Sequence, residues 1–135
     1  IGDPVALRGY FQVAEDHGLL IPTLASAVAV AEVWFGSRGP TLYAQGGVHR
    51  NSVSVLATFS NGRVAVLSSD LMRAPTVRET PLAALLLVGN HGTMYFTDRP
   101  GSEGTTINLG PSDNPDQRRI AVAIEDSLRR RMPIS

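Results

Sequence analysis

Three histidines, His17, His49 and His91, are the residues of this chain best suited to move a proton near neutral pH. His17 follows Asp16, and a carboxylate at that range could orient an imidazole for proton transfer; the other reading is a polar strand-to-helix connection with an N-terminal capping role. His49-Arg50-Asn51 joins an imidazole, a guanidinium fork suited to carboxylate or phosphate, and an amide suited to hydroxyls; the other reading is a solvated loop. His91 sits inside Asn90-His91-Gly92, a tight turn, and reads as structural. Asp16, His17, His49, Arg50 and Asn51 are therefore the candidate substrate-binding residues.

Other chemistries are excluded by what the chain lacks. Ser68, Ser69 and Asp70 resemble parts of a hydrolase triad, but no G-x-S-x-G elbow surrounds them and they close a strand pattern. Cysteine is absent, which removes disulfides, thiolate nucleophiles and most structural zinc sites. The histidines are far apart with no paired spacing, so no metal site is expected. All twelve basic residues are arginine, so neither a Schiff base nor a lysine proton donor is available. No catalytic residue, metal ligand or cofactor-binding residue is assigned.

Length and charge bound the partners. The 135 residues allow one domain with a modest core, over 1–135. Formal charge is zero and most arginines are scattered, which disfavours nucleic acid. The apolar stretch from Leu19 to Phe35 is interrupted by Pro22 and Glu32 and rich in alanine, so it reads as a buried helix rather than a membrane span. No signal peptide opens the sequence, and a cytoplasmic setting is the expectation.

The elements that must position these residues follow from periodicity. SVSVLATFSNGRVAVLSS, Ser52 to Ser69, reads as a hairpin in which Val53, Val55, Ala57 and Phe59 share one face, with Asn61-Gly62 as a type I′ turn. Leu56 and Leu67 are placed on the wetter face. Ile1 to Ala14 alternates like a long strand, with Gly9 marking a bulge or a close approach; an opening on a strand points to something removed upstream. Pro22 at the first turn and Gly36 at C′ bound a helix. Thr41 to Val48 is a short strand. Ala74-Pro75-Thr76 is extended, Leu82 to Val88 is a strand buried on both faces, and Gly89-Asn90-His91-Gly92 turns it into Thr93 to Thr97. Asp98 to Pro111 reads as a surface loop with a short edge strand over Thr105 to Leu109. Asp113 or Asn114 caps a last helix whose buried stripe is Ile120, Ile124, Leu128 and Met132, with Arg129, Arg130 and Arg131 suiting its C-terminal dipole. The fold class is α+β: an open, mainly antiparallel sheet of about six strands with helices on one face. No parallel crossover is expected.

In this order, IGDPVALRGYFQ, EVWFG, VSVLATFSNGRVAVLSS and LLLVGNHGTMYFTD resemble the Gfo/Idh/MocA oxidoreductases, in the domain that follows their Rossmann half; the last stretch is similar to the family's YGTKG turn. The resemblance covers almost the whole chain. It implies a missing upstream Rossmann domain holding NAD or NADP, a small sugar or polyol ligand, and a homo-oligomer formed through the open sheet face. The family's D-x-G-x-H-x-x-D residues would fall close to Pro22, Ser26 and Ala29, none of which is a general base, and its glycine fingerprint and Glu-Lys-Pro lysine are not in this chain. The implied function is the substrate-binding and oligomerisation domain of a sugar or polyol dehydrogenase, inactive in isolation. The alternative is a non-catalytic ligand-binding or dimerisation module on the same fold.

Overall fold

Alternating apolar and polar residues give most of the strands two unlike faces, and six strands pair into one sheet among the described residues. The computed structural model describes residues 2–13, 17–47, 49, 51–71, 83–97 and 114–135. Its strands are β1 (Pro4–Val13), β2 (Thr41–Gly47), β3 (Ser52–Thr58), β4 (Val64–Leu71), β5 (Ala83–Gly89) and β6 (Gly92–Thr97), ordered β2-β3-β4-β1-β5-β6 across one open sheet. Every neighbouring pair is antiparallel except β1 and β4, which run parallel. This corrects the expectation of no parallel crossover: α1, β2 and β3 lie between β1 and β4 in the chain, and a return after that excursion leaves β4 alongside β1 in the same direction.

Two α-helices, α1 (Leu20–Phe35) and α2 (Pro115–Arg130), are present among the described residues. A single 3-10 turn over His17–Leu19 leads into α1. Leu19 occupies the N-cap of α1 without a capping side chain, so the cap imagined for His17 is not at that position. Gly36 ends α1 in the left-handed conformation, as its placement at C′ requires. Asn114 caps α2 by accepting the Asp116 N–H at 2.9 Å. The helix α1 packs on β1, β3 and β4, while α2 packs on α1 and β2. Leu7, Phe11, Leu20, Leu24, Val28, Val53, Val55, Leu67, Ile120 and Ile124 form the centre of the core between the helices and the sheet. Leu128 packs against this core, but Met132 is exposed and does not extend the stripe.

The hairpin of β3 and β4 differs from the expected one by a single residue. Phe59 donates its N–H to Arg63 O at 2.9 Å, and Gly62 N–H reaches Phe59 O at 3.0 Å, so three residues, Ser60, Asn61 and Gly62, form the loop. Of the Asn61-Gly62 pair only Gly62 has positive φ, 82°. This is a type I turn followed by a left-handed glycine rather than a type I′ turn. Thr58 therefore pairs with Val64, and Val55 with Leu67. A one-residue slip exchanges the two faces of a strand. Leu67 is wholly buried in consequence, whereas Val66 is 46% exposed, the reverse of the expected placement.

β5 is likewise one-sided rather than buried on both faces: Leu85 and Leu87 are in the core, while Leu86 and Val88 are half-buried on the open face. Gly9 carries no bulge; pairing is continuous through it, and a Cβ there would stand 2.7 Å from Leu67 Cδ2 and 2.9 Å from Leu85 Cδ2. The register shift in β1 lies instead between Pro4 and Ala6. The segment 72–82, including Ala74-Pro75-Thr76, and residues 98–113, including the strand expected over Thr105 to Leu109 and the Asp113 cap, lie outside the described residues.

Candidate functional site

Parallel strands gather their following loops at one end of a sheet, and ligand sites in such sheets lie beyond the carboxyl ends of those strands. The register Gln12↔Asp70↔Ser52↔Gly47 shows that β1 and β4 end at the edge of the sheet where β3 begins and β2 finishes. The backbone of His17, after β1, and the β2–β3 connection bearing His49 and Asn51 are therefore at the same end of the sheet. They do not meet as a pair: β4 and β3 lie between β1 and β2, so the strands that lead to them are three spacings, about 14 Å, apart. Asp16 and Arg50 lie outside the described residues.

Asn51 adopts φ 61°, uncommon for a residue other than glycine, and its carbonyl accepts the Leu71 N–H at 2.8 Å. This bond ties the connection to the end of β4. His49 is exposed, and its ring lies against Gly47, where a Cβ would stand 2.7 Å from Cε1.

On the open face beside this connection, Ser52 donates its hydroxyl to Asp70 Oδ1 at 2.6 Å. Gln12 Nε2 donates to Tyr10 OH at 3.2 Å, and Gln45 Nε2 to Tyr43 OH at 3.2 Å. Together these groups present hydroxyl, amide and carboxylate functions of the kind that bind hydroxylated ligands. Sequence reasoning missed Ser52, Asp70, Gln12 and Tyr10 as a group, because the pairing that aligns them spans three strands. The alternation placing Tyr10 and Gln12 together on one side of β1 was the local signal.

Ser69, Ser26 and Glu32 are engaged within the fold, and His91 lies elsewhere. Ser69, neighbour to Asp70, points to the opposite face, where its buried hydroxyl donates to Leu20 O at 3.0 Å; the two cannot form a triad. Ser26, at one of the places the family's acid and histidine would occupy, is buried and donates to Gln117 Oε1 at 3.1 Å, joining α1 to α2. Glu32 is buried as well, accepting the Gly39 N–H at 2.8 Å and facing Arg119 Nη2 at 3.3 Å. His91 is in the β5–β6 turn, where the preceding Asn90 accepts the Asp3 N–H at 2.9 Å and fastens the turn to the start of β1. No group of three histidine, cysteine or acidic residues arranged for a metal occurs among the described residues, and no described helix is long and apolar enough to cross a membrane.

No family model and no curated protein matches the chain. Solved structures do. A protein from Thermotoga maritima described as an oxidoreductase superposes with a TM-score of 0.74 at 14% identity, over 99% of this chain and 55% of that one. An NAD binding oxidoreductase from Klebsiella pneumoniae matches at TM-score 0.64 and 15% identity, over 99% and 59%. Scyllo-inositol dehydrogenase from Lactobacillus casei, solved with NAD(H) and scyllo-inositol, matches at TM-score 0.64 and 13% identity, over 99% and 57%. The chain spans a little over half the length of each of these structures, and its fold is the one that these Gfo/Idh/MocA-type dehydrogenases and oxidoreductases carry over that part of their length.

Proposed function

We propose that this chain is the substrate-side and self-association domain of an NAD- or NADP-dependent dehydrogenase of sugars or polyols, with the nucleotide held by a Rossmann domain outside these residues. The observation that carries the reading is the coverage: essentially all of this chain corresponds to part of each dehydrogenase, and one of those structures holds NAD(H) and an inositol. In this reading the candidate residues Asp16 and His17, and separately His49, Arg50 and Asn51, contribute to binding the ligand, and Ser52 with Asp70 adds hydroxyl-binding groups at the same end of the sheet. A cytoplasmic setting, in which a cysteine-free chain needs no disulfides, belongs to the same proposal. The chain alone performs no hydride transfer in this reading, because the nucleotide is held elsewhere and none of Pro22, Ser26 and Ala29 can take a hydroxyl proton.

Self-association uses the face that the helices leave open. The register places Tyr43, Leu56, Val66, Arg8, Leu86 and Tyr95 in one row across all six strands. Five of the six are apolar or aromatic. A two-fold pairing would bury the same row from both copies.

The test is the reading frame upstream of Ile1 and the enzyme expressed from it. A strand-turn-helix bearing G-x-G-x-x-G there, and NAD(P)-dependent oxidation of inositols or sugars by the longer protein, support the proposal. The second reading, a non-catalytic binding or dimerisation module, is favoured by the Pro22, Ser26 and Ala29 replacements. A frame without a nucleotide-binding domain would establish that reading over the first.

A further inference from the structure

The open face changes character along its strands. The row through Leu56 and Val66 is mostly apolar, but the next two rows, toward the carboxyl ends of β1 and β4, are polar on β1, β4 and β3: Tyr10, Ser68 and Ser54, then Gln12, Asp70 and Ser52. The strands β1 and β4 are the parallel pair of the sheet, and the carboxyl end of such a pair is where ligands gather. Asp70 Oδ1 accepts the Ser52 hydroxyl at 2.6 Å, which fixes the carboxylate against β3. Gln12 Nε2 donates to Tyr10 OH at 3.2 Å, which leaves the phenolic proton to be given elsewhere. Among the described residues, Asp70 Oδ2 and Gln12 Oε1 accept no hydrogen bond, and no cation pairs with Asp70. Gln12 and Asp70 are register partners on strands about 4.8 Å apart, so two open acceptors stand side by side. The cation on this face of β1, Arg8, is four residues before Gln12, about 13 Å along the strand and beyond the screening length at physiological salt.

We propose that, given the sugar or polyol ligand class proposed above, Asp70 and Gln12 with Ser52 and Tyr10 form a subsite for the hydroxyl groups of a neutral polyol and select against its phosphorylated and carboxylate forms. An ionised carboxylate accepts hydrogen bonds and cannot donate them. A polyol hydroxyl therefore gives its proton to Asp70 Oδ2 in a charge-assisted bond, a second hydroxyl gives its proton to Gln12 Oε1, and the Tyr10 hydroxyl donates to an oxygen of the same ligand. A phosphate or carboxylate oxygen in the first of these places brings like charge and no proton to share. One residue, Asp70, thus supplies both the attraction for the neutral ligand and the repulsion of the charged one.

The experiment titrates the isotope-labelled full chain at neutral pH with myo-inositol, scyllo-inositol and glucose, each against its phosphate or carboxylate counterpart, and follows backbone amide shifts. Saturable shifts at Gln12, Ser52 and Asp70 with a neutral probe, and binding of its charged counterpart weaker by roughly tenfold, are the expected result. Asp70→Asn keeps an oxygen for the Ser52 hydroxyl and so preserves the local structure; it should weaken the neutral probe by roughly tenfold and close the gap between the two. Gln12→Met, which leaves the carboxylate in place, should weaken the neutral probe and keep the gap. Absence of shifts at these amides with all the neutral probes, equal binding of the charged forms, or a gap that survives Asp70→Asn would overturn the subsite. Shifts confined to His17, His49 and Asn51 would overturn it and leave the polyol ligand class standing, whereas the dehydrogenase reading falls separately, on an upstream frame without a nucleotide-binding domain.

Discussion

Leu56 and Val66 stand directly opposite each other on β3 and β4, side by side on the open face and 43% and 46% exposed, while Leu67, the next residue of the chain, is wholly buried on the helix side. The pair divides the hairpin's two jobs between its faces. Glutamate at Leu56 and Val66 should leave the fold intact and shift sedimentation equilibrium toward monomer, because the charges would be buried unpaired in a face-to-face dimer. Glutamate at Leu67 should instead unfold the domain, at a cost on the order of 4 kcal/mol or more. A Leu56→Glu, Val66→Glu chain that associates as strongly as the parent would refute open-face assembly.

Gly62 is expected to be sensitive although it is exposed. A Cβ there meets no atom within 4 Å, so the cost of Gly62→Val comes from forcing a β-branched residue to φ 82° and should be about 1–3 kcal/mol. Asn61→Ala acts by a different route. It removes the Nδ2–H donated to Phe35 O at 3.1 Å, which fastens the turn to the end of α1, and should cost about 1 kcal/mol. Denaturant midpoints separate these from the type I′ alternative, in which Asn61 would be the second strained position and Asn61→Gly would be harmless or stabilising.

Most element positions were legible in the sequence because they are set locally. Gly36 and Asn114 ended and began helices where capping chemistry places them, and the alternation in β1 and β3 assigned Leu7, Phe11, Val53 and Val55 to the core. What could not be read depends on counting residues through a turn or on pairing distant strands. One extra loop residue, Ser60, reversed the faces of β4 and misplaced Leu67 and Val66. The parallel pairing of β1 with β4 joins segments more than fifty positions apart, and it alone brings Gln12 beside Asp70. The apolar run of β5 concealed its two faces because both carry leucine, one in the core and one on a half-covered surface. The Ser52–Asp70 bond was not legible either, because it joins residues paired across β3 and β4.

Glu32 should matter more than Arg119. Its carboxylate holds the Gly39 N–H inside the α1–β2 connection, whereas the Arg119 side chain is 46% exposed and screened by water. Glu32→Ala is expected to cost about 1–3 kcal/mol by leaving that N–H unsatisfied and opening a small cavity. Arg119→Met should cost about 1 kcal/mol or less. Thermal or denaturant unfolding of both variants tests the order; a larger loss from Arg119→Met would place the stabilisation in the ion pair instead.

The isolated chain should bind neither NAD nor NADP at micromolar concentration, even though it contains a parallel strand pair. A dinucleotide site needs more than parallel strands: a glycine-rich turn must pass directly from the strand into a helix whose first N–H groups are open to the pyrophosphate. The sequence between β1 and α1 contains one glycine, Gly18, and enters α1 through the 3-10 turn His17–Leu19. Leu20 and Ile21, the first residues of α1, are buried, Pro22 contributes no N–H, and the Leu20 carbonyl is held by Ser69. The helix start is thus packed against the sheet rather than presented to a ligand. Calorimetric titration of the chain with each nucleotide should show no binding heat. Saturable micromolar binding of either would mean that a nucleotide site is built on this domain by residues other than a glycine loop.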